Sequence, residues 1–158
     1  MDGDYPLADA ILDLRHQEAC ARIEIMNLNW DVSLACLQDQ CIMSSHGFVV
    51  IYSVTDKESF LNLNKHIERI VKVRGEQKVP MLIVANKCDL EENRAVSIDA
   101  GFQFAAMHDA PFYEISAKLM INTQVMWLTL TRECIKLDDE CGFFFRSRKK
   151  KRKQCVIC

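Results

Sequence analysis

Three apolar runs, each followed by residues with helical spacing, constrain the fold of this 158-residue chain most strongly. The runs are Gly47–Val54, Val79–Ala85 and Pro111–Ile115, and the first two are rich in β-branched residues, as in strands buried on both faces. Strands that alternate with helices predict a mostly parallel α/β sheet flanked by helices. A chain of this length can hold one domain with a core of its own.

Helix signals lie between and beyond these runs. Thr55 and Glu58 have the spacing of a capping box, which opens a helix with apolar residues every three or four positions. Residues Ser97–His108 predict another helix, in which Gly101 is a poor helix former. The remaining predicted elements are a half-buried strand at Arg22–Leu28, a short helix at Ser33–Met43, and a last amphipathic helix marked by Trp127, Leu130, Cys134 and Leu137.

Two polar motifs follow two neighbouring predicted strands. Asn86-Lys87-Cys88-Asp89 follows one buried run, and Glu114-Ile115-Ser116-Ala117-Lys118 ends the next. In open α/β sheets, ligands bind beside the carboxyl ends of the strands. A polar turn is the alternative interpretation of the first motif alone, since Asn and Asp favour turns. The second motif at the next strand end favours a shared binding site.

The residue types in these motifs suit a guanine base. Guanine presents N1–H and N2–H2 as adjacent donors, and the carboxylate of Asp89 can accept hydrogen bonds from both. Ala117 can offer its backbone N–H to the exocyclic oxygen, while the aliphatic part of Lys87 can lie along the ring. Asn86 would hold the loop and contact another edge of the base. The sequence therefore predicts a guanine-binding site.

These motifs, together with Val54-Thr55-Asp56-Lys57-x-Ser59-Phe60, resemble the Ras family of small GTPases, and most closely its R-Ras/M-Ras branch. The match runs from about Arg22 to Ile135 and includes the C-terminal tail. The resemblance implies a P-loop-NTPase-like, Ras-type fold, GTP or GDP as ligand, slow GTP hydrolysis, and signalling through effector and regulator proteins. It also implies a guanine-binding set of Asn86, Lys87, Asp89, Ser116, Ala117 and Lys118.

The chain departs from the family pattern where the phosphates would bind. No G-x-x-x-x-G-K-[ST] motif precedes Arg22, so the backbone N–H groups, lysine and magnesium-binding hydroxyl of that loop have no counterpart there. Counting back from Gly47 without gaps, Asn27 replaces a magnesium-associated aspartate, Trp30 a flexible glycine, and Asp31 the glutamine that orients the attacking water. We therefore expect weak or no nucleotide binding, no Mg²⁺ and no catalytic residues.

The resemblance also implies that a central strand lies in the segment missing ahead of Arg22. Its loss would expose two strand edges. Either Arg22–Leu28 pairs directly with Gly47–Val54, or residues 1–21 fill the gap, or the chain is a truncated product that folds poorly. The predicted organisation is a divergent segment at 1–21, a partial Ras-like domain at 22–141 and a C-terminal tail at 142–158.

Positive charge is concentrated in the tail. The rest of the chain holds 13 basic and 22 acidic residues, which argues against nucleic acid as a partner. A basic cluster near a chain terminus favours contact with anionic lipids of an inner membrane leaflet, and a nuclear-import signal is the alternative. The seven basic residues are Arg146, Arg148, Lys149, Lys150, Lys151, Arg152 and Lys153.

The terminal residues Cys155-Val156-Ile157-Cys158 match the C-a-a-X pattern. This pattern predicts a prenyl lipid on Cys155, with a prenyltransferase as partner. Half a zinc site and a redox pair are alternatives, but no second cysteine pair or nearby histidine supports zinc and no βαβ unit follows. A single lipid binds membranes only marginally, and the basic cluster supplies the second signal that stable attachment requires.

The sequence thus predicts a signal-transduction protein that is lipid-anchored to the cytoplasmic side of the plasma membrane. It contains neither an N-terminal secretory signal nor an apolar run long enough to span a bilayer. Three hypotheses follow: a degenerate Ras-like interaction module with weak or no nucleotide binding, a working GTPase switch, or a non-functional truncated product.

Overall fold

A computed structural model of the chain describes residues 11–16, 19–28, 35–75, 77–141 and 153–157. Its centre is a six-stranded sheet with strand order β1-β2-β6-β3-β4-β5. The strands are β1 Ile11–His16, β2 Ala19–Asn27, β3 Gly47–Ser53, β4 Met81–Asn86, β5 Phe112–Glu114 and β6 Lys153–Ile157. The helices are α1 Ala35–Ser44, α2 Lys57–Leu61, α3 Leu63–Arg74, α4 Ile98–Met107 and α5 Thr123–Cys141, with a short 3₁₀ helix at Glu91–Asn93.

The predicted α/β fold is confirmed. Strands β3, β4 and β5 pair in parallel, with Val50 opposite Ile83 and Ile83 opposite Phe112. Successive strand residues face opposite sides, and both sides are covered, which explains why these runs are apolar throughout. One side of the sheet packs on α1, α3 and α4 through Ile42, Phe48, Val50, Tyr52, Leu63, Ile67, Ile70, Ile83 and Phe104. The other side packs on α5 through Val49, Leu82, Val84, Ile115, Met126, Leu130 and Cys134.

The place between β2 and β3 is filled by the C-terminal segment. Strand β6 pairs in parallel with β2, from Ile23 opposite Lys153 to Asn27 opposite Ile157, and with the start of β3. This arrangement differs from the two pairings considered for the gap, because Arg22–Leu28 does not pair with β3 and residues 11–16 form an outer antiparallel strand. The terminal segment satisfies the N–H and C=O groups that two open strand edges would otherwise expose.

The predicted capping box at Thr55 is wrong by one residue. The side chain of Asp56 caps α2 by accepting hydrogen bonds from the backbone N–H groups of Glu58, at 2.9 Å, and Ser59, at 3.3 Å. The Thr55 hydroxyl instead lies 2.9 Å from the Ser53 hydroxyl. A carboxylate accepts more strongly than a hydroxyl, and it displaces the neighbouring threonine from the cap.

The glycine in α4 marks a close approach between α4 and the sheet. A Cβ atom at Gly101 would lie 2.7 Å from a ring atom of Phe112 and would overlap the hydroxyl of Tyr52. Close packing leaves no room for even a methyl group there. The poor helix former is therefore explained by packing rather than by a break, since the predicted helix spans it with Ser97 as its N-cap.

We expect Tyr52→Phe to leave the free energy of unfolding unchanged or to raise it by about 1 kcal/mol. The Tyr52 hydroxyl is buried and has no hydrogen-bond partner among the described residues. Burial, followed by the charge of Glu114, raises the pKa of Tyr52 to about 12. Urea melting would measure the change. Tyr113→Phe is the control, because the Tyr113 hydroxyl lies 2.8 Å from that of Thr129 and its removal should destabilise the fold. Equal losses in the two variants would contradict the prediction.

Candidate functional site

The two polar motifs meet at the carboxyl edge of the sheet. β4 ends at Asn86 and β5 at Glu114, and these strands are parallel neighbours with Ala85 opposite Glu114. The loops that leave them therefore lie side by side. They border an open cavity of about 360 Å³ lined by Asn86, Lys87, Asp89, Leu90, Ala117 and Lys118. Of the six predicted guanine-binding residues, five line this cavity, and Ser116 lies behind it.

Asn86 joins the two loops. Its Oδ1 accepts hydrogen bonds from the backbone N–H groups of Lys87, at 2.8 Å, and Ala117, at 3.1 Å. A second link runs between the loops, where the Cys88 N–H donates to the Ile115 carbonyl at 3.1 Å. The Ala117 N–H that was predicted to meet the exocyclic oxygen of a base is thus donated to Asn86 here. A base oxygen at this point would have to share that donor.

The loop bends sharply at Lys87, which has a φ of 67°. This left-handed conformation is uncommon for a residue with a side chain and is held by its surroundings. The Leu90 N–H closes the turn by donating to the Lys87 carbonyl at 3.0 Å. The bend places both Lys87 and Asp89 at the cavity.

Ser116 positions the carboxylate of Asp89. Ser116 is fully buried, and its backbone exchanges two hydrogen bonds with Ile121. A hydrogen bond from the Ser116 side chain, assisted by the charges of Lys118 and Lys87, lowers the pKa of Asp89. Asp89 is therefore ionised at neutral pH. Its Oδ1 atom is buried and accepts no hydrogen bond from any described residue.

Arg94, which belongs to neither sequence motif, supports the site by binding Glu114 at the end of β5. The guanidinium of Arg94 binds both carboxylate oxygens of Glu114, at 2.7 and 3.1 Å, and its Nε donates to Glu91 at 2.8 Å. The side chains of Arg94 and Glu114 are only 12% and 18% exposed. These carboxylates raise the pKa of Arg94. The Glu91–Arg94 spacing was visible in the sequence, but the contact with Glu114 depends on the fold.

Cys88 lies in the loop that follows β4, and it lacks the features of a reactive thiol. Burial, followed by the charges of Glu114 and Asp89, raises its pKa. Only the thiolate is an effective nucleophile. The environment of Cys88 therefore keeps the thiol protonated and argues against redox sensing at this position.

The other predicted functional residues lie away from the cavity or outside the described residues. Asn27 ends β2, while Trp30 and Asp31 fall outside the described part of the chain. Lys153 and Cys155 belong to β6, whereas the basic residues from Arg146 to Arg152 lie outside the described ranges. Among the described helices, none is both long and apolar enough to cross a membrane.

Comparison with known proteins identifies the family. The sequence profile of the Ras family matches residues 17–136. Ras-like protein rasB of Dictyostelium discoideum is 34% identical over 130 residues, which cover 82% of this chain and 64% of that protein. Ras-like protein 2 of Mucor circinelloides f. lusitanicus is 31% identical over 142 residues, which cover 88% and 69%. The chain spans about two thirds of the length of these relatives. By both the profile and the relatives, the chain belongs to the Ras family.

Proposed function

We propose that this chain is a membrane-tethered interaction module of the Ras family that binds guanine nucleotides weakly, through the base alone. The observation that carries the proposal is the ionised carboxylate of Asp89, which belongs to a residue of the cavity lining and is stabilised in its charged form by the Ser116 side chain and the nearby lysines. An ionised carboxylate can accept charge-assisted hydrogen bonds from two donors of a ligand at once. Guanine supplies two donors at the spacing of one carboxylate, whereas the corresponding edge of adenine presents an acceptor at N1 and so fits poorly.

The chemistry of the cavity supports a contact with the base more than with phosphates. The lining contains one ionised carboxylate and two lysines, Lys87 and Lys118. The printed sequence contains no glycine-rich phosphate loop of the G-x-x-x-x-G-K-[ST] type. A ligand held mainly by a small ring system is expected to bind with a dissociation constant on the order of 0.1 mM. Hydrolysis is not part of the proposal, because positioned phosphate and water contacts would have to supply it.

Titration of the purified chain with a fluorescent GDP analogue, with and without Mg²⁺, tests the nucleotide part. We expect weak binding that Mg²⁺ does not strengthen and that GMP displaces better than AMP. Tight, magnesium-dependent binding would instead support a working GTPase switch. Absence of binding with a cooperative thermal transition would leave an interaction module without a nucleotide, and absence of both would favour a non-functional truncated product.

Asp89→Asn is expected to weaken binding of the guanine analogue by at least about tenfold, because an amide N–H₂ would face the donors of the base and the charge-assisted hydrogen bonds would be lost. The same titration measures the change. Glu92→Gln is the matched control, since Glu92 is an exposed carboxylate nearby that does not line the cavity. Equal affinities for the Asp89 variant and the control would rule out base recognition at this cavity.

Membrane attachment is the second part of the proposal. It is supported by the C-a-a-X terminus at Cys155 and by the basic residues 146–153. These features favour a prenyl-lipid anchor at the anionic cytoplasmic face of the plasma membrane, with a prenyltransferase as the modifying partner and effector or regulator proteins as further partners.

Cys155→Ser is expected to move the protein from the membrane to the soluble fraction of cells, because the basic residues alone bind lipid reversibly. Cell fractionation would detect the shift. Cys36→Ser serves as the control, since Cys36 is an exposed cysteine on α1 far along the chain from the tail. A Cys155 variant that stays on membranes would show that the anchor is not a lipid at this position.

A further inference from the structure

The segment Lys153–Ile157 has two roles that cannot be held at once. It forms β6 inside the sheet, and it contains Cys155, the proposed site of lipid attachment. We propose that β6 is a displaceable strand, so that lipid attachment to Cys155 requires β6 to leave the sheet. This inference rests on the proposed lipidation and adds a competition between folding of the sheet and modification of the tail.

The docked strand is paired along both edges. Cys155 lies in register with Ile25 of β2 on one side and Gly47 of β3 on the other. Inside a parallel sheet, the N–H and C=O groups of a strand are directed to its two neighbours. An enzyme that acts on Cys155 must take the terminal residues into its active site, and a strand bordered on both edges by other strands cannot enter such a site. Docking and modification therefore exclude each other.

The modification itself is a nucleophilic substitution at carbon, with the Cys155 sulfur as the nucleophile. The Sγ of Cys155 forms a thioether bond to the first carbon of a prenyl diphosphate, diphosphate leaves, and the thiol proton is released to solvent or a base. No oxidant or reductant is required. The step needs the terminal residues to be free to enter the enzyme, and the pairing of β6 on both sides prevents this.

The pairing pattern indicates that β6 can leave without dismantling its neighbours. Five residues of β2 pair with β6, but only Gly47–Val49 of β3 do so. β3 remains paired with β4 over six residues, and β2 with β1 over six residues. Removal of β6 therefore breaks only the pairings of β6 itself, because β1 stays paired with β2 and β3 stays paired with β4.

Apolar burial favours the docked state. Phe48 and Val49 are fully buried next to β6, and Ile25 is only 8% exposed. Removal of the strand would bring water to this part of the core, which is unfavourable in proportion to the apolar area exposed. The undocked state is thus a minor population. Lipid transfer would act on that population alone, so its fraction sets the apparent rate of lipid attachment.

The segment that connects α5 to β6 is long enough for β6 to lie between β2 and β3 of its own chain. The carboxyl-terminal half of α5 approaches the start of β3, where the Cys134 thiol lies 3.5 Å from the His46 carbonyl oxygen. The start of β6 lies at the same edge, because Gly47 and Cys155 are in register. Residues 142–152 can span about 36 Å when extended. A second copy of the chain is therefore not needed to supply the strand between β2 and β3.

Gln154→Pro tests the inference without altering the four terminal residues. Gln154 pairs with Glu24, and proline lacks the N–H that a central strand requires. Gln154→Ala keeps the N–H and is the matched control. Each full-length chain would be incubated with purified prenyltransferase and labelled farnesyl or geranylgeranyl diphosphate, with a free peptide of residues 153–158 as the reference.

We expect the unaltered chain and Gln154→Ala to be modified about tenfold more slowly than the free peptide, as for a docked fraction of about 90%. Gln154→Pro should approach the rate of the peptide and melt at a lower temperature. Hydrogen exchange of the unaltered chain is an independent measurement that does not depend on the variant folding. Amides at residues 23–27 and 47–49 should exchange faster after lipid attachment than before it.

Results against the displaceable strand differ from results against the lipidation. Modification of the unaltered chain at the rate of the peptide, or unchanged exchange after lipid attachment, would overturn the displaceable strand while leaving the proposed lipidation in place. Failure of the free peptide itself to accept either lipid would remove the proposed lipidation and the competition with it. A rate that falls with protein concentration, together with a dimer, would replace docking within one chain by exchange of strands between two copies.

Discussion

Arg94→Met is expected to lower the free energy of unfolding by about 3 kcal/mol. The guanidinium holds both oxygens of the Glu114 carboxylate in a setting where neither side chain is more than 18% exposed. Methionine replaces the unbranched stem of the side chain but leaves that carboxylate without its partner. Removal of one member of a desolvated ion pair costs more than the pair itself contributes. Urea unfolding followed by circular dichroism would measure the change.

Two further variants separate the effect of the pair from that of packing. Glu91→Gln should change stability by less than about 0.5 kcal/mol, because the Glu91 side chain is 69% exposed and its contact with Arg94 is screened by water. Combining Arg94→Met with Glu114→Gln should recover part of the loss, since the unpaired charge is then gone. An Arg94 variant no less stable than the Glu91 variant would contradict the role assigned to this pair.

Gly101→Ala is expected to destabilise the fold by about 2 kcal/mol, although alanine is the better helix former. The added methyl group would overlap the Tyr52 hydroxyl and two ring atoms of Phe112, and the closely packed core can yield only by shifting α4 or the strands. Thermal or urea melting would measure the loss.

The clash with the hydroxyl can be tested on its own. In the Tyr52→Phe background the loss caused by Gly101→Ala should shrink, because one of the overlapping atoms is removed while the contacts with Phe112 persist. This coupling would appear in a double-mutant cycle. A rise in stability of about 1 kcal/mol for Gly101→Ala alone would mean that helix propensity outweighs packing and that α4 does not lie this close to the sheet.

The parts of the fold that could be predicted from sequence are those with local signals. The runs at Gly47–Val54 and Val79–Ala85 became β3 and β4 because residues buried on both faces of a sheet are all apolar. The motif Asn86–Asp89 marked a loop at the carboxyl edge because that loop follows such a run. The fold then brought its partner loop, around Ala117, to the same cavity.

The parts that could not be predicted depend on pairs of residues far apart in the chain. The charged, lysine-rich stretch ahead of Cys155 has no apolar run and gave no strand signal, yet Lys153–Ile157 pairs with two strands near the start and middle of the chain. The contact between Arg94 and Glu114 likewise arises only when the loop after β4 folds against β5. At Asp56, two adjacent residues could both cap a helix, and the pattern alone favoured the wrong one.

The position of β6 also bears on how the protein is made. A ribosome releases the residues of β6 only after both strands that border it have been synthesised. Until β6 has been made, β2 and β3 have no central partner, and a nascent chain with unpaired strand edges is prone to association with other chains. The central strand of the sheet is therefore added after all of its neighbours. Its pairing with β2 joins segments far apart in the sequence, which is a slow type of contact to form.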